Sequence, residues 1–338
     1  MSQTDADGET SKCRPRQNVG HLGKQGLMVP RSYFHFIYKI PACNIETECR
    51  IQISSSIAMF FQGLLTFGLA ATTLAAEKWE TLPATPALPA PISNVRQSID
   101  GVELWYQKYN EAAGGTPVVL IHGGLGYSAY FGDVISQLSE SRYVIAVDRR
   151  GHGRSSYLSS DAFTFEQFAR DTNDLLKSIG VTKSVWVGWS DGAATTLAGL
   201  LDGGINGAIS KAFVFAGFQS YKDTNATFAE TSIYQEFVSR CASEHASLQP
   251  NANFTDFAGK VATLESTLPT WSDATLAGID GSKVLIAGAE YDEAVNLDVA
   301  PHLSSAISGS QVKILSGVSH FAPVQDPTQF AQAVAEFL

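Results

Sequence analysis

Cysteine is scarce in this chain and poorly placed for a covalent framework. Of four cysteines in 338 residues, Cys13, Cys43 and Cys49 fall within the first 50 positions and Cys241 stands alone in the rest. Disulfides are therefore not expected to hold the main fold. Positive charge is also short: Lys and Arg total 23 against 33 Asp and Glu, a formal net charge of -10. There is no Lys/Arg-rich run, which argues against a nucleic-acid partner and against an anionic-membrane footprint. No G-x-x-x-x-G-K-[ST] occurs, no G-x-G-x-x-G follows a strand, and the seven histidines never fall in H-x-H or H-E-x-x-H spacing. Nucleotide binding and metal catalysis thus have no motif to rest on, and the metal expectation is none. What is present is 44% hydrophobic residues, enough to bury a large core in one domain or two.

Charge is missing altogether from residues 57 to 76, IAMFFQGLLTFGLAATTLAA, a stretch long enough to cross a bilayer. From Met59 it reads as an apolar run that ends in the small residues Thr73, Ala75 and Ala76, the pattern of a secretory signal peptide. The expected location is secreted. The alternative is a membrane anchor, uncleaved, with Arg50 just upstream supplying the positive flank. Residues 1 to 58 show no sustained periodicity and are expected to be unstructured or to precede the true start at Met59. They carry seven basic and five acidic residues, so the chain without them is more acidic still.

Pro83, Pro86, Pro89 and Pro91 force residues 77 to 95 into an extended path with no helix or ladder role, a spacer. The sequons Asn225-Ala-Thr227 and Asn253-Phe-Thr255 suit a secreted glycoprotein if they lie on the surface.

From about residue 100 the pattern becomes regular. VELWYQKY (102 to 109), PVVLIHG (117 to 123), YVIAVDRRG (143 to 151), SVWVGWS (184 to 190), AFVFAG (212 to 217), KVLIAGAE (283 to 290) and VKILSGVSH (312 to 320) are strand candidates. Most are apolar nearly throughout, as parallel strands covered on both faces must be. Helical windows at 165 to 180, 191 to 202 and 326 to 338 separate them, the last with Phe330, Val334 and Leu338 on one face. Alternating strands and helices predict a doubly wound, mostly parallel α/β sheet over 96 to 338. About 60 residues after Gly217 lack a strand signal, far more than one crossover needs, so a helical cap is expected at about 219 to 278.

Gly188-Trp189-Ser190-Asp191-Gly192 matches G-x-S-x-G, which places a serine on a tight strand-to-helix turn. The pattern alone is weak, but here it closes an apolar strand and opens a helix of small residues. A serine hydroxyl needs a base to take its proton and a carboxylate to orient that base. His320 ends the last strand, and Asp292 follows the strand before it. Glu290 is the second choice for the carboxylate, and Glu293 also flanks the position. His21, His35, His122, His152, His245 and His302 do not follow the last strand and are read as structural or surface residues. The developing oxyanion needs N–H donors: Gly124 first, with Leu125, in the loop HGGLG, and Asp191, which follows the serine.

With these residues in view, the chain from about 100 to 338 resembles the α/β-hydrolase fold family. The likeness is to its small lipase- and esterase-like members, the valacyclovir-hydrolase and enol-lactonase type. HGGLG is similar to the family's oxyanion loop, DRRGHGRSS (148 to 156) to its D-x-R-G-x-G-x-S turn, GWSDGA to its nucleophile elbow and GVSHFAPVQDP to its terminal histidine loop. Where the family shows G-E-x-D, this chain has Ala289-Glu290-Tyr291-Asp292, with the aspartate in register. The resemblance implies hydrolysis of a small-molecule carboxylic ester, thioester or lactone through an acyl-enzyme on Ser190, without a cofactor. It also implies that residues 148 to 151 shape a loop and do no chemistry. The cap aromatics Phe228, Tyr234, Phe237, Phe254, Phe257 and Trp271 favour a largely apolar substrate. Two other readings stay open: a cofactor-free haloperoxidase or perhydrolase using the same triad, and a ligand-binding receptor without turnover.

Overall fold

The computed structural model describes residues 76 to 338, apart from 91, 94 and 250. The N-terminal extension lies outside the described residues, as does the apolar segment except for Ala76. No helix among the described residues is long and apolar enough to cross a membrane.

The sheet opens with a hairpin of β1 (Arg96–Ile99) and β2 (Val102–Tyr109), whose turn residues Asp100 and Gly101 both have positive φ, 45° and 78°. Asp-Gly is the dipeptide that a two-residue turn of this kind selects, and Ile99 pairs directly with Val102 across it. There follow β3 (Val118–Ile121), α1 (Gly132–Leu138), β4 (Val144–Val147), α2 (Phe165–Ser178), β5 (Ser184–Trp189), α3 (Asp191–Leu201) and β6 (Ile209–Phe215). Three helices, α4 (Ser232–Leu248), α5 (Phe254–Thr267) and the short α6 (Asp273–Leu276), separate β6 from β7 (Val284–Tyr291). The chain ends with α7 (Val299–Ala306), β8 (Gln311–Ser319), α8 (Ala322–Gln325) and α9 (Pro327–Phe337).

The eight strands form one sheet in the order β1-β2-β4-β3-β5-β6-β7-β8, antiparallel only at the β1-β2 and β2-β4 pairs. Every residue of β3, β4 and β5 is buried, which explains their unbroken apolar runs. The edge strand β8 departs from that pattern: it pairs only with β7, and Val312 and Ile314 are exposed among the described residues. All seven strand candidates are present; β1, α1, α7 and α8 were not anticipated. Helix α3 is buried from Asp191 to Leu200, and small residues stand where it meets the sheet most closely. A Cβ at Gly199, for example, would come within 2.8 Å of the Trp186 ring.

The proline-rich stretch expected to be a spacer is instead a docked strap, and this corrects the sequence reading. Leu82 and Leu88 are buried. An extended segment outside the sheet must find partners for its carbonyls elsewhere. Arg240 of α4 donates to the carbonyls of Leu82 and Pro83, and Gln325 donates to that of Thr81.

Candidate active site

The site is built at the carboxyl ends of the parallel strands, where β5 hands the chain to α3. Ser190 occupies that junction with φ 56° and ψ -118°, a conformation that costs a non-glycine residue roughly 1–3 kcal/mol. Its neighbours hold it there. The Ser190 N–H donates to the Phe215 carbonyl at 2.9 Å, and the Ser190 carbonyl accepts from Ala193 and Ala194. A Cβ at Gly188 would collide with the Gly192 backbone, and one at Gly192 with the Ile121 carbonyl. The two glycines of the motif are therefore required by close approach of main chain to main chain. As the first residue of α3, Asp191 has an N–H with no acceptor within the helix, at the positive end of the helix dipole.

The loop after β3 runs across this elbow. A Cβ at Gly123 would lie 3.3 Å from Ser190 Cβ, and one at Gly124 would lie 3.2 Å from Asp191 Oδ2. The carbonyl of Gly123 is fixed from the core side by two donors, Arg149 Nη2 at 2.7 Å and His122 Nδ1 at 2.8 Å. His122 Nε2 accepts from the Arg149 N–H at 3.0 Å, so Nδ1 carries the imidazole proton. Burial, then Arg149, keeps His122 far below the ordinary histidine value, consistent with that neutral form. In a trans peptide the next N–H points opposite the carbonyl, so pinning Gly123 aims the Gly124 N–H away from the core. Leu125 sits half-buried at φ 43°, in a tight turn closed by the Gly126 N–H on the Gly124 carbonyl.

Behind the loop lies a buried charge group that the sequence did not reveal. Arg149 and Asp191 are both almost fully buried, with Nη2 and Oδ2 3.6 Å apart. Arg149 also lies 4.7 Å from the Phe168 ring centroid. Glu265, from α5, brings its carboxyl against Gly124, into the space a Cβ there would take. Burial, and next the charge of Asp191, push Glu265 well above the usual carboxylate range. Burial also raises Asp191, with Arg149 opposing.

The histidine side of the site is assembled from loops. His320, just after β8, and Asp292, just after β7, meet with Nδ1 at 3.1 Å from Oδ1 and 3.3 Å from Oδ2. The His320 ring packs 6.0 Å from that of Trp189, the residue before the serine. Burial opposes charge on His320, but Asp292 outweighs it with help from Glu293 and Asp191, and the imidazole ends above its ordinary value. Asp292 Oδ1 also accepts from the N–H groups of Ala294 and Val295 at 3.0 and 2.8 Å. Glu290, the second choice, is exposed and accepts from the Gly317 N–H, away from the imidazole. Glu293 does not orient the ring: it accepts from the His320 N–H at 3.0 Å and from Ser319 Oγ at 3.1 Å.

The six cap aromatics separate into two groups. Phe228 lies 5.9 Å from the His320 ring and 4.7 Å from Tyr234, and Phe237 lies 5.1 Å from Phe321 beside the same loop. Phe254 and Phe257 instead pack around His245, and Trp271 packs on Phe165. His122, His152 and His245 are buried in the scaffold, while His302 is half-exposed and reaches Asp273. Among the described residues no group of three or more His, Cys, Asp or Glu side chains could hold a metal ion. Arg149, Glu265, Glu293 and Gln325 are the site-supporting residues whose roles sequence reasoning missed.

A mostly parallel sheet with a serine at a strained strand-to-helix turn, and a histidine bonded to a carboxylate beyond the last two strands, has the architecture of an α/β hydrolase. The alpha/beta hydrolase family model matches residues 118–333, and the chain belongs to that family. Serine hydrolase BPHL of Homo sapiens is 36% identical over 110 residues, 31% of this chain and 37% of that protein. Non-heme chloroperoxidase CPO-A1 of Kitasatospora aureofaciens is 37% identical over 94 residues, 28% of this chain and 33% of that protein. These matches thus span only about a third of the relatives' own length. Esterase RhEst1 from Rhodococcus sp. ECU1013 superposes with a TM-score of 0.55 at 25% identity, covering 72% of this chain and 96% of that one.

Proposed function

We propose that this chain is a serine hydrolase that cleaves carboxylic esters of small, largely apolar molecules, lactones and thioesters included. Ser190 Oγ attacks the ester carbonyl while His320 Nε2 takes its proton, and Asp292 holds Nδ1–H so that Nε2 faces the nucleophile. The tetrahedral oxyanion is met by the N–H groups of Gly124 and Asp191, with Leu125 the alternative donor on the loop side. The carbon–oxygen bond to the alcohol breaks as His320 returns the proton to the leaving oxygen. Water, deprotonated by the same imidazole, then releases the acid from Ser190.

The observation that carries this reading is the His320–Asp292 bond, with its imidazole packed on Trp189, directly before a serine held in a strained elbow at a helix N-terminus. Phe228 and Phe237 line the His320 side with apolar surface, which supports an apolar acyl or alcohol group. The similarity to a non-heme chloroperoxidase favours one second reading, a cofactor-free perhydrolase or haloperoxidase activity of the same triad. We also propose that the protein is secreted, on the uncharged run at 57 to 76.

The test is turnover of p-nitrophenyl esters of increasing acyl length by the full chain, with Ser190→Ala as control and hydrogen peroxide added in a parallel series. The expected result is hydrolysis without peroxide and a loss of roughly 10³-fold or more in Ser190→Ala. Equal rates for the two proteins would overturn the proposal.

A further inference from the structure

The loops that carry Asp292 and His320 both lean on the N-terminal strap. Trp79 stacks on Tyr291, the residue before Asp292, with centroids 4.4 Å apart and planes 17° from parallel. Gln325 joins the strap to the histidine turn. Its Nε2 donates to the Thr81 carbonyl at 2.8 Å and to Ser319 Oγ at 3.0 Å, with the Trp79 carbonyl at 3.4 Å. Its Oε1 accepts from the Ser319 N–H at 2.8 Å. Gln325 is buried, and this donor and acceptor pattern fixes which way its amide points. Glu293 grips the same turn through Ser319 Oγ and the His320 N–H. Next to Gln325, Asp326 pairs with Lys78 at 2.6 Å and caps α9 by accepting from the Gln329 N–H.

Past the ends of β7 and β8 the sheet no longer holds either loop. The far end of the Asp292 loop is tied by a bridge between Val295 and Thr224, with Ala294 accepting from the Asn225 N–H and Asn296 donating to the Asp223 carbonyl, and the near end, from Tyr291, rests on the strap. General-base catalysis is sensitive to the position of both loops, since a displacement of about 1 Å can cost about 100-fold in rate. We infer that Trp79 and Thr81 of the strap are positioning residues of the active site, with Gln325 as their link: the stack fixes the near end of the Asp292 loop and the glutamine bridge fixes His320. The inference rests on the serine-hydrolase reading for its effect on rate, though not for its effect on geometry. It makes the strap a working part of the site, so that cutting or pulling the chain there would loosen the triad.

The experiment uses the full chain with Trp79→Ala, Tyr291→Ala and the double variant, and Trp79→Phe as the conservative rescue. The Tyr291 ring is partly exposed, so its variant breaks the stack from the other side even if Trp79→Ala fails to fold. The expected result is a fall of about tenfold in kcat with KM within about twofold, no further loss in the double variant, and recovery in Trp79→Phe. The acid limb of the pH profile should move to lower pH as Asp292 loosens its hold on His320. A readout independent of turnover is the low-field proton resonance of His320 Nδ1–H, identified by its loss in His320→Gln, which should move or broaden in Trp79→Ala and Tyr291→Ala. Folded single variants that keep the wild-type resonance and pH limb would overturn the inference. A wild type that shows the resonance but no turnover would sink the hydrolase reading alone, and the resonance would still decide the role of the strap.

Discussion

The two halves of the site are held by different physics. On the nucleophile side, Ser190 and the Gly123–Gly124 loop are fixed by steric contact of glycines pressed against backbone and by fully buried hydrogen bonds from Arg149 and His122 to one carbonyl. On the histidine side, Asp292 and His320 stand on loops fixed by side-chain hydrogen bonds with Glu293 and Gln325, by a ring stack with the strap, and, for the Asp292 loop, by main-chain bonds to residues 223 and 225. The first half is built mainly from the ends of the adjacent strands β3, β4, β5 and β6, within residues 121 to 215. The second is gathered from segments more than 200 residues apart, so it should be the half that yields first to substitution.

The largest expected effect sharpens that contrast. Asp292→Asn keeps the shape of the loop but favours the wrong imidazole tautomer, and should lower kcat by about 10⁴-fold. Glu290→Gln, on the exposed carboxylate facing Gly317, should change it by less than about twofold. Comparable losses in the two, measured by ester hydrolysis, would reassign the acid.

Next in size is Arg149→Met, which takes a donor from the Gly123 carbonyl and the countercharge from Asp191. Breaking a buried pair from one side costs about 3 kcal/mol or more, so urea unfolding should show a lowered midpoint together with a slower acylation. A variant as stable as the wild type would mean the nucleophile side does not depend on that guanidinium.

How much of this could be read from the amino acids follows the same division. The strands, the elbow and Ser190 were legible because each is encoded locally, by an apolar run or by glycines that backbone contact demands. The β1-β2 hairpin was legible in principle from Asp100-Gly101, but β1 is four residues long and only Ile99 is buried, so it lacks an apolar run. Asp292 and His320 could be chosen by their place after strands. Glu265, Gln325 and Trp79 could not, because what they touch is set by tertiary packing: α5 folding back over the loop, and a proline-rich strap docking where a spacer was expected.

Smaller effects come from titration. His320 lies above the ordinary histidine value of 6.5, and its protonated form cannot act as base. Thus kcat/KM should rise with pH through a midpoint above 6.5 and flatten beyond it; a midpoint below 6.5 would contradict the Asp292 contact. The raised midpoint also means the folded state holds that proton more tightly than the unfolded one. The resulting stability is complete below the unfolded value and is lost as pH rises through the folded one. Glu265 has the same sign. Its folded carboxyl is held well above 4.5 by burial and by Asp191, so it disfavours folding progressively as pH climbs from the unfolded value towards the folded one. Glu265→Gln removes the ionisation, and its melting temperature should fall less than that of the wild type between pH 5 and 9. Parallel curves would show that this carboxyl is not strained by its site.

The central claim is that Ser190, activated by His320, is the nucleophile. The most direct measurement is fluorophosphonate labelling of the full chain with mass mapping of the adduct. One phosphonyl group on the peptide carrying Ser190, absent in Ser190→Ala and formed far more slowly in His320→Gln, is the predicted result. A folded wild type that stays unlabelled, or carries the adduct on another residue, would contradict it.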